Sequence, residues 1–285
     1  MKKILLSILP FLFLNASLFA QETTVCSLES RKRLEKLLQD FSQGNASAKT
    51  TQELISEIGK SFLGTAYVEK SLELPGEEKL VINLLGLDCT TYLESVVGLT
   101  QTIKEQNFSF EGFEKKLEQL RYLNGKNSGY SSRLHYFSDW IFENQRKGLL
   151  KDITKEIGGE TYPNQPSFMS ENPRFYPQLA DLALAEKIKE RETIIKTRPY
   201  FFIPKDKIET LENQIENGDL IAITTPLKNL DIVHVGFAVR QNGRIHLMHA
   251  SSVSRKVEIS TLPLSEYLLG NKSQSGIMVS RLILP

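Results

Sequence analysis

The chain has 285 residues, 40% of them hydrophobic and 24% charged, and its formal net charge is +1. That balance excludes fibrous and disordered classes and lacks the basic excess that a nucleic-acid partner would require. The length suffices for a sizeable core and a deep pocket.

At the amino terminus, Lys2-Lys3, an apolar stretch from Ile4 to Leu14 and a small-residue exit at Ala20 read as a secretory signal over residues 1–20. The mature chain, 21–285, is therefore expected to be exported. Thr24-Val25 ahead of Cys26 lacks the small residues that a lipid-attachment cut needs. No later run reaches the about 18 apolar residues of a membrane span, so stable membrane insertion after cleavage is not expected. Cys26 and Cys89 are the two cysteines; an oxidising compartment permits a disulfide between them, and a chain of this size does not require one.

Helical spacing of Leu34, Leu37, Leu38 and Phe41, then of Leu54, Ile55, Ile58 and Phe62 after a Thr50-x-x-Glu53 capping signal, predicts helices first. Beyond Gly64, Lys79 to Leu84 reads as a strand. Leu93, Val96, Val97, Thr100 and Ile103 then mark one face of a helix that begins just after Cys89. Residues 108–204 read as a helical insertion, with helices over 110–122, 132–146 and 178–196 and a Pro/Asn-rich loop from Thr161 to Pro177. Residues 218–285 form a β core of short runs, 220–224, 232–239, 244–250, 256–260 and 277–284, with an Asn242-Gly243 hairpin turn. Helices followed by antiparallel strands predict an α+β fold, with 21–285 as one catalytic domain.

His234 and His249 fall on adjacent strands joined by that hairpin, where they become neighbours across the sheet. His246 points to the other face, which also argues against a metal pair with His249. A thiol attacks as thiolate, and a helix amino terminus with a nearby imidazolium lowers its pKa. Cys89, His234 and His249 thus make a nucleophile, base and orienter set needing no metal or cofactor. By spacing alone, the same residues also fit ordinary core and surface positions.

Five blocks in order add to this: Gly64-Thr65-Ala66-Tyr67, Leu87-Asp88-Cys89-Thr90, Gly218-Asp219-Leu220, Val233-His234-Val235-Gly236 and Met248-His249-Ala250-Ser251. Together they resemble the signature of the NlpC/P60 papain-like cysteine peptidases, over about residues 60–285. The resemblance is closest to the N-acetylmuramoyl-L-alanine amidase-like branch, with its long insertion and a motif like Arg133-Leu134-His135-Tyr136-Phe137-Ser138-Asp139-Trp140. It implies Cys89 as nucleophile, His234 as general base, His249 as third polar residue, and bacterial peptidoglycan fragments (muropeptides) as substrate in the periplasm. Many family endopeptidases carry Ser-Gly where this chain has Thr90-Thr91, and their Gly-Gly is missing at Val68 to Ser71. The branch therefore implies hydrolysis of the muramoyl–L-alanine amide, on anhydro-muropeptides. A stem-peptide endopeptidase cutting between D-glutamate and the diamino acid, and a non-catalytic muropeptide binder, are the alternatives.

The substrate-binding candidates are Tyr67, Asp88, Thr90, Arg133, His135, Tyr136, Trp140 and Ser251. The resemblance puts the Tyr67 hydroxyl near the developing oxyanion, while Asp88 also serves as a helix cap. Leu134, Phe137 and Ile141 have core spacing. Arg133, Tyr136 and Trp140 fall on another helical face, where aromatic rings would wall a sugar and Arg133 would pair with an acid; the same stripe, and His135 beside it, equally fits solvated packing. Asp219 reads as a turn residue bonding local backbone.

Overall fold

Two apolar surfaces on one sheet organise the molecule, described here over residues 24–284 of a computed structural model; the expected signal at 1–20 lies outside these residues. The amino-terminal part supplies β1 (Thr24–Cys26), α1 (Leu28–Ser42), α2 (Thr51–Lys60), β2 (Ala66–Tyr67), β3 (Leu80–Ile82) and β4 (Gly86–Leu87). α3 (Cys89–Lys104), α4 (Phe110–Arg121), α5 (Phe137–Arg146), β5 (Leu150–Asp152), β6 (Glu160–Tyr162), α6 (Phe168–Glu171), α7 (Leu182–Lys196) and β7 (Tyr200–Pro204) follow. The chain closes with α8 (Ile208–Leu211), β8 (Leu220–Thr224), β9 (Ile232–Gln241), β10 (Arg244–Ser251), β11 (Lys256–Ile259), α9 (Leu264–Leu269) and β12 (Gly276–Leu282).

The main sheet runs β4-β2-β11-β10-β9-β8-β12-β7-β6, with β5 also on β12. Its ladders are antiparallel except β2–β4. One face carries Val235, Phe237, Met248 and Ala250 and packs on Tyr92, Leu93 and Val96 of α3. The other carries Ile221, Ile223, Ala238, Ile245 and Leu247 and packs on Ile208, Leu264 and Leu268 of α8 and α9. Helices layered on a largely antiparallel sheet agree with the α+β expectation. No helix among the described residues is long and apolar enough to cross a membrane.

The predicted elements shift in informative ways. Residues 108–204 are not purely helical, because β5 and β7 pair with β12, and β6 pairs with β7, extending the sheet. The 132–146 helix starts only at Phe137. Tyr130–Ser132 is a single 3-10 turn, and Arg133 bridges Tyr122 in extended conformation. α5 also lacks a side-chain cap of its own. The distant Asp231 carboxylate accepts the Ser138 N–H at 2.8 Å instead, so capping comes from tertiary structure. The Lys79 to Leu84 strand shortens to β3, which pairs with β1 in parallel, in a sheet of its own.

The β9–β10 hairpin turns through Asn242 and Gly243, both at positive φ (49° and 84°), as a type I′ turn demands. Its register, Met248 opposite Phe237, carries Gly236 to a position facing His249. A Cβ on Gly236 would lie 2.6 Å from the Met248 carbonyl oxygen and 3.0 Å from the His249 Cβ. Only glycine lets the strands close here. Gly236→Ala should therefore force the hairpin apart and lower stability by about 1–3 kcal/mol, measured as a fall in the denaturant midpoint at constant m-value.

Candidate active site

Asp88 ends an extended segment and begins α3: its carboxylate accepts the Thr91 N–H at 2.7 Å, and the Thr91 hydroxyl accepts the Asp88 N–H at 2.9 Å. This reciprocal box makes Cys89 the first helical residue, largely buried at the positive end of the helix. Cys89 and His234 lie on the wall of one cavity of about 330 Å³. The hairpin register sets His234 diagonal to His249 on the same face. His234 Nε2 and His249 Nδ1 are 2.6 Å apart, with the rings at 89°. His249 is 1% exposed, touches the Tyr267 ring, and its Nε2 has no hydrogen-bond partner among the described residues. His246 Nδ1 instead faces the Ser260 carbonyl at 2.8 Å. Cys26 and Cys89 are both free thiols.

The electrostatics depart from the expected lowered thiol pKa. Burial, followed by the adjacent Asp88 carboxylate, pushes the Cys89 thiol up to about 12. Hydrogen bonds from the Val235 backbone and from the Thr90 backbone and side chain act the other way, and burial prevails. Burial pushes His234 down to about 4, and burial reinforced by His234 takes His249 to about 3. At neutral pH the thiol and both imidazoles of the unliganded protein are therefore uncharged.

The other expected residues divide. Thr90, Asp88, Arg133, His135 and Tyr136 line the same cavity. Tyr67, on β2, is half-buried beneath the Arg255 guanidinium at 5.1 Å; burial first, then Cys89, hold its phenol near 12, so it remains a donor. Arg133 is buried and already ion-paired with Glu73 and Glu78, and it donates to the Leu72 carbonyl, so its charge is satisfied without a ligand acid. His135 Nε2 lies 2.8 Å from the Tyr130 carbonyl and so donates; burial, then Arg133, lower its pKa to about 3. The Tyr136 hydroxyl donates to Glu192 at 2.7 Å and accepts the Met169 N–H at 2.9 Å, fastening α6.

Two expectations are corrected. Trp140 is fully buried, stacked on Phe137 at 4.8 Å with Nε1 donating to Glu94 at 3.1 Å, so no face of it is open to a sugar. The common stripe with Arg133 and Tyr136 dissolves because those two precede the helix. Ser251 is buried off the cavity, where its Oγ accepts the Ser254 N–H and closes the turn into β11. Asp219 does accept the local Glu216 N–H, and Arg281 grips it through two further bonds.

Sequence reasoning missed Glu94 and Asp231, both on the cavity wall. Glu94 pairs with Arg121 at 2.8 Å beneath the site. A carboxylate between Leu93 and Val96, on a helix whose other charge is the terminal Lys104, was the available signal. Asp231 had none, because its partner Ser138 lies 93 positions away. The stacked Phe168 and Phe175, at the same cavity, were likewise hidden in what read as loop.

An α+β fold with a thiol and an imidazole on the wall of one cavity defines the candidate site. The chain belongs to the AmiA-like, N-acetylmuramoyl-L-alanine amidase-like family, which it matches over residues 57–277. It is similar to the crystal structure of an N-acetylmuramoyl-L-alanine amidase from Bacteroides uniformis ATCC 8492, with TM-score 0.78 and 37% identity over 82% of this chain and 99% of that one. It also resembles a Legionella pneumophila str. Philadelphia 1 protein of family DUF1460, with TM-score 0.68 and 28% identity over 90% of this chain and 95% of that one. No curated protein matches the chain.

Two measurements test the site's electrostatics. Alkylation of Cys89 in the unliganded protein should accelerate about tenfold per pH unit from pH 7 to 9, following the thiolate fraction; a rate already level below pH 7 would mean a preformed thiolate. His135, His234 and His249 bind protons more readily in the unfolded chain, at about 6.5, than in the folded one, at about 3 to 4. Stability should thus be full above pH 6.5 and fall as pH drops toward 4, on the order of 1 kcal/mol per pH unit per histidine. Urea midpoints from pH 7 to 4.5 check this, and His135→Gln should flatten the slope by about a third.

Proposed function

We propose that this protein is an exported thiol amidase that cleaves the bond between N-acetylmuramic acid, in its anhydro form, and L-alanine in peptidoglycan fragments, on a papain-like scaffold of the NlpC/P60 type. The observation that carries the reading is the shared cavity wall of Cys89 and His234, with His234 bonded through Nε2 to the buried His249. The similarity to a structure titled as an N-acetylmuramoyl-L-alanine amidase supports the choice of bond.

In the proposed mechanism, the His249 contact holds His234 with its Nδ1 free. Cys89 Sγ attacks the lactyl carbonyl carbon while its proton passes to His234 Nδ1, so charge separates only as the bond forms. Backbone N–H groups at the start of α3 and the Tyr67 hydroxyl stabilise the oxyanion. The C–N bond then breaks, and His234 returns the proton to the leaving L-alanine nitrogen. Water, deprotonated by His234, hydrolyses the thioester to the muramoyl carboxylate and restores the thiol.

Cys89→Ala should abolish hydrolysis of a defined muropeptide panel while the protein stays folded. His234→Ala should cost more kcat/KM than His249→Ala, and His246→Ala little. Mass detection of the products decides between readings. Free L-alanyl peptide plus intact sugar is the expected outcome; a shortened stem would mean an endopeptidase, and no product with retained binding a muropeptide binder.

A further inference from the structure

The charged side chains around the cavity are matched, with one exception. Glu94 holds Arg121, Glu73 and Glu78 hold Arg133, Asp88 caps α3 and Asp231 caps α5. Among the described residues, Lys70 alone lines this cavity as a charge with no ion pair or hydrogen bond. It is exposed near the start of the β2–β3 connection, in a left-handed conformation with φ 57°. That conformation is secured rather than loose. The Glu73 N–H donates to the Lys70 carbonyl at 3.0 Å, and Arg133 clamps the next residues through the Leu72 carbonyl and the Glu73 carboxylate. Gln178 donates to the Leu74 carbonyl from the insertion.

A muropeptide brings negative charge to this cavity. In a stem peptide the L-alanine carboxyl is consumed in the next peptide bond, so the first free carboxylate belongs to the following residue, D-glutamate, or is a neutral carboxamide where the stem is amidated. Arg133 is unsuited to receive it, since turning to a ligand would strand the buried Glu78 carboxylate. Resting on the amidase reading, we propose that Lys70 binds that carboxylate, so that the enzyme selects muropeptides with a free acid on the second stem residue over their amidated counterparts. The ammonium acts as a point charge on a held loop, contributing equally to ground-state and transition-state binding and so setting KM rather than kcat.

The test compares wild type, Lys70→Met and Lys70→Arg on anhydro-N-acetylmuramoyl-L-alanyl-D-glutamate with its γ-carboxyl capped as the methylamide, and on the α-carboxamide of that same capped compound. All three side chains carry a Cβ, so the left-handed strain is unchanged and the comparison reads charge. Lys70→Met should raise KM for the acid about five- to tenfold with kcat retained, leave the carboxamide nearly unaffected, and be rescued by Lys70→Arg. Equal effects on both substrates, or none, would overturn the proposal. A second arm is independent of turnover: Cys89→Ala, with and without Lys70→Met, is titrated with the same two compounds by calorimetry. Lys70-dependent preference for the acid here supports the proposal even if wild type cleaves neither compound, in which case only the amidase reading falls. Equal affinity for acid and carboxamide, or no binding of either, overturns the Lys70 assignment itself.

Discussion

Everything at the site hangs on α3 being locked between the β9–β10 hairpin and the amino-terminal helices. It is buried from Thr91 to Ile103, and Tyr92 anchors it by donating to the Gly59 carbonyl while its ring meets Phe62 and Phe237 edge-on. A helix enclosed on all sides has no freedom to slide, since close-packed interiors do not deform continuously. The first residue of that helix, Cys89, is thereby held at one fixed height against the strand that carries His234. The same enclosure explains the electrostatics: removing water from around the thiol and the imidazoles favours their neutral forms more than the helix terminus favours a thiolate.

Buried ion pairs build the walls around this centre. Arg121 joins Glu94 beneath the cavity, Arg133 ties the β2–β3 connection to the insertion, and Arg191 and Arg198 converge on Asp139 and Glu143 where α7 meets α5. Desolvation makes such pairs weak net stabilisers but costly to break singly, so they favour one arrangement of segments over competing ones. Their presence also accounts for the fate of the insertion motif. Arg133 and Tyr136 serve to hold neighbouring segments, and the Trp140 indole supports Glu94 from within the core. Asp231 works in the same way, one side chain and one carbonyl linking β9 to α5 and to Tyr162 of the insertion.

Much of this was legible locally. The Thr50–Glu53 box, the apolar face leading away from Cys89, the Asn242-Gly243 turn and the five β runs of the last third correspond to α2, α3 and the central strands, with ends displaced by a few residues. Each is encoded within a few positions of itself: a cap, a period of 3.6 or 2, or a residue tolerant of positive φ. The 132–146 helix failed for the complementary reason. Its apolar spacing continues upstream of Phe137, but the backbone of Arg133 and Leu134 is drawn into bonds with Tyr130 and Arg121, an outcome that spacing cannot register.

By itself, the sequence determined the α+β class, the start of the Cys89 helix and the alternation that sets His246 apart from His249, because these depend on local backbone preference and side-chain periodicity. Tertiary structure alone decided which charges the cavity keeps. Arg133 is neutralised by Glu73 and Glu78, sixty and fifty-five positions away, while Lys70 has no ion pair among the described residues, and burial at the sheet raises the thiol that the helix terminus by itself would lower. Charge state and ligand access follow from desolvation and long-range pairing, and neither has a period or a motif along the chain.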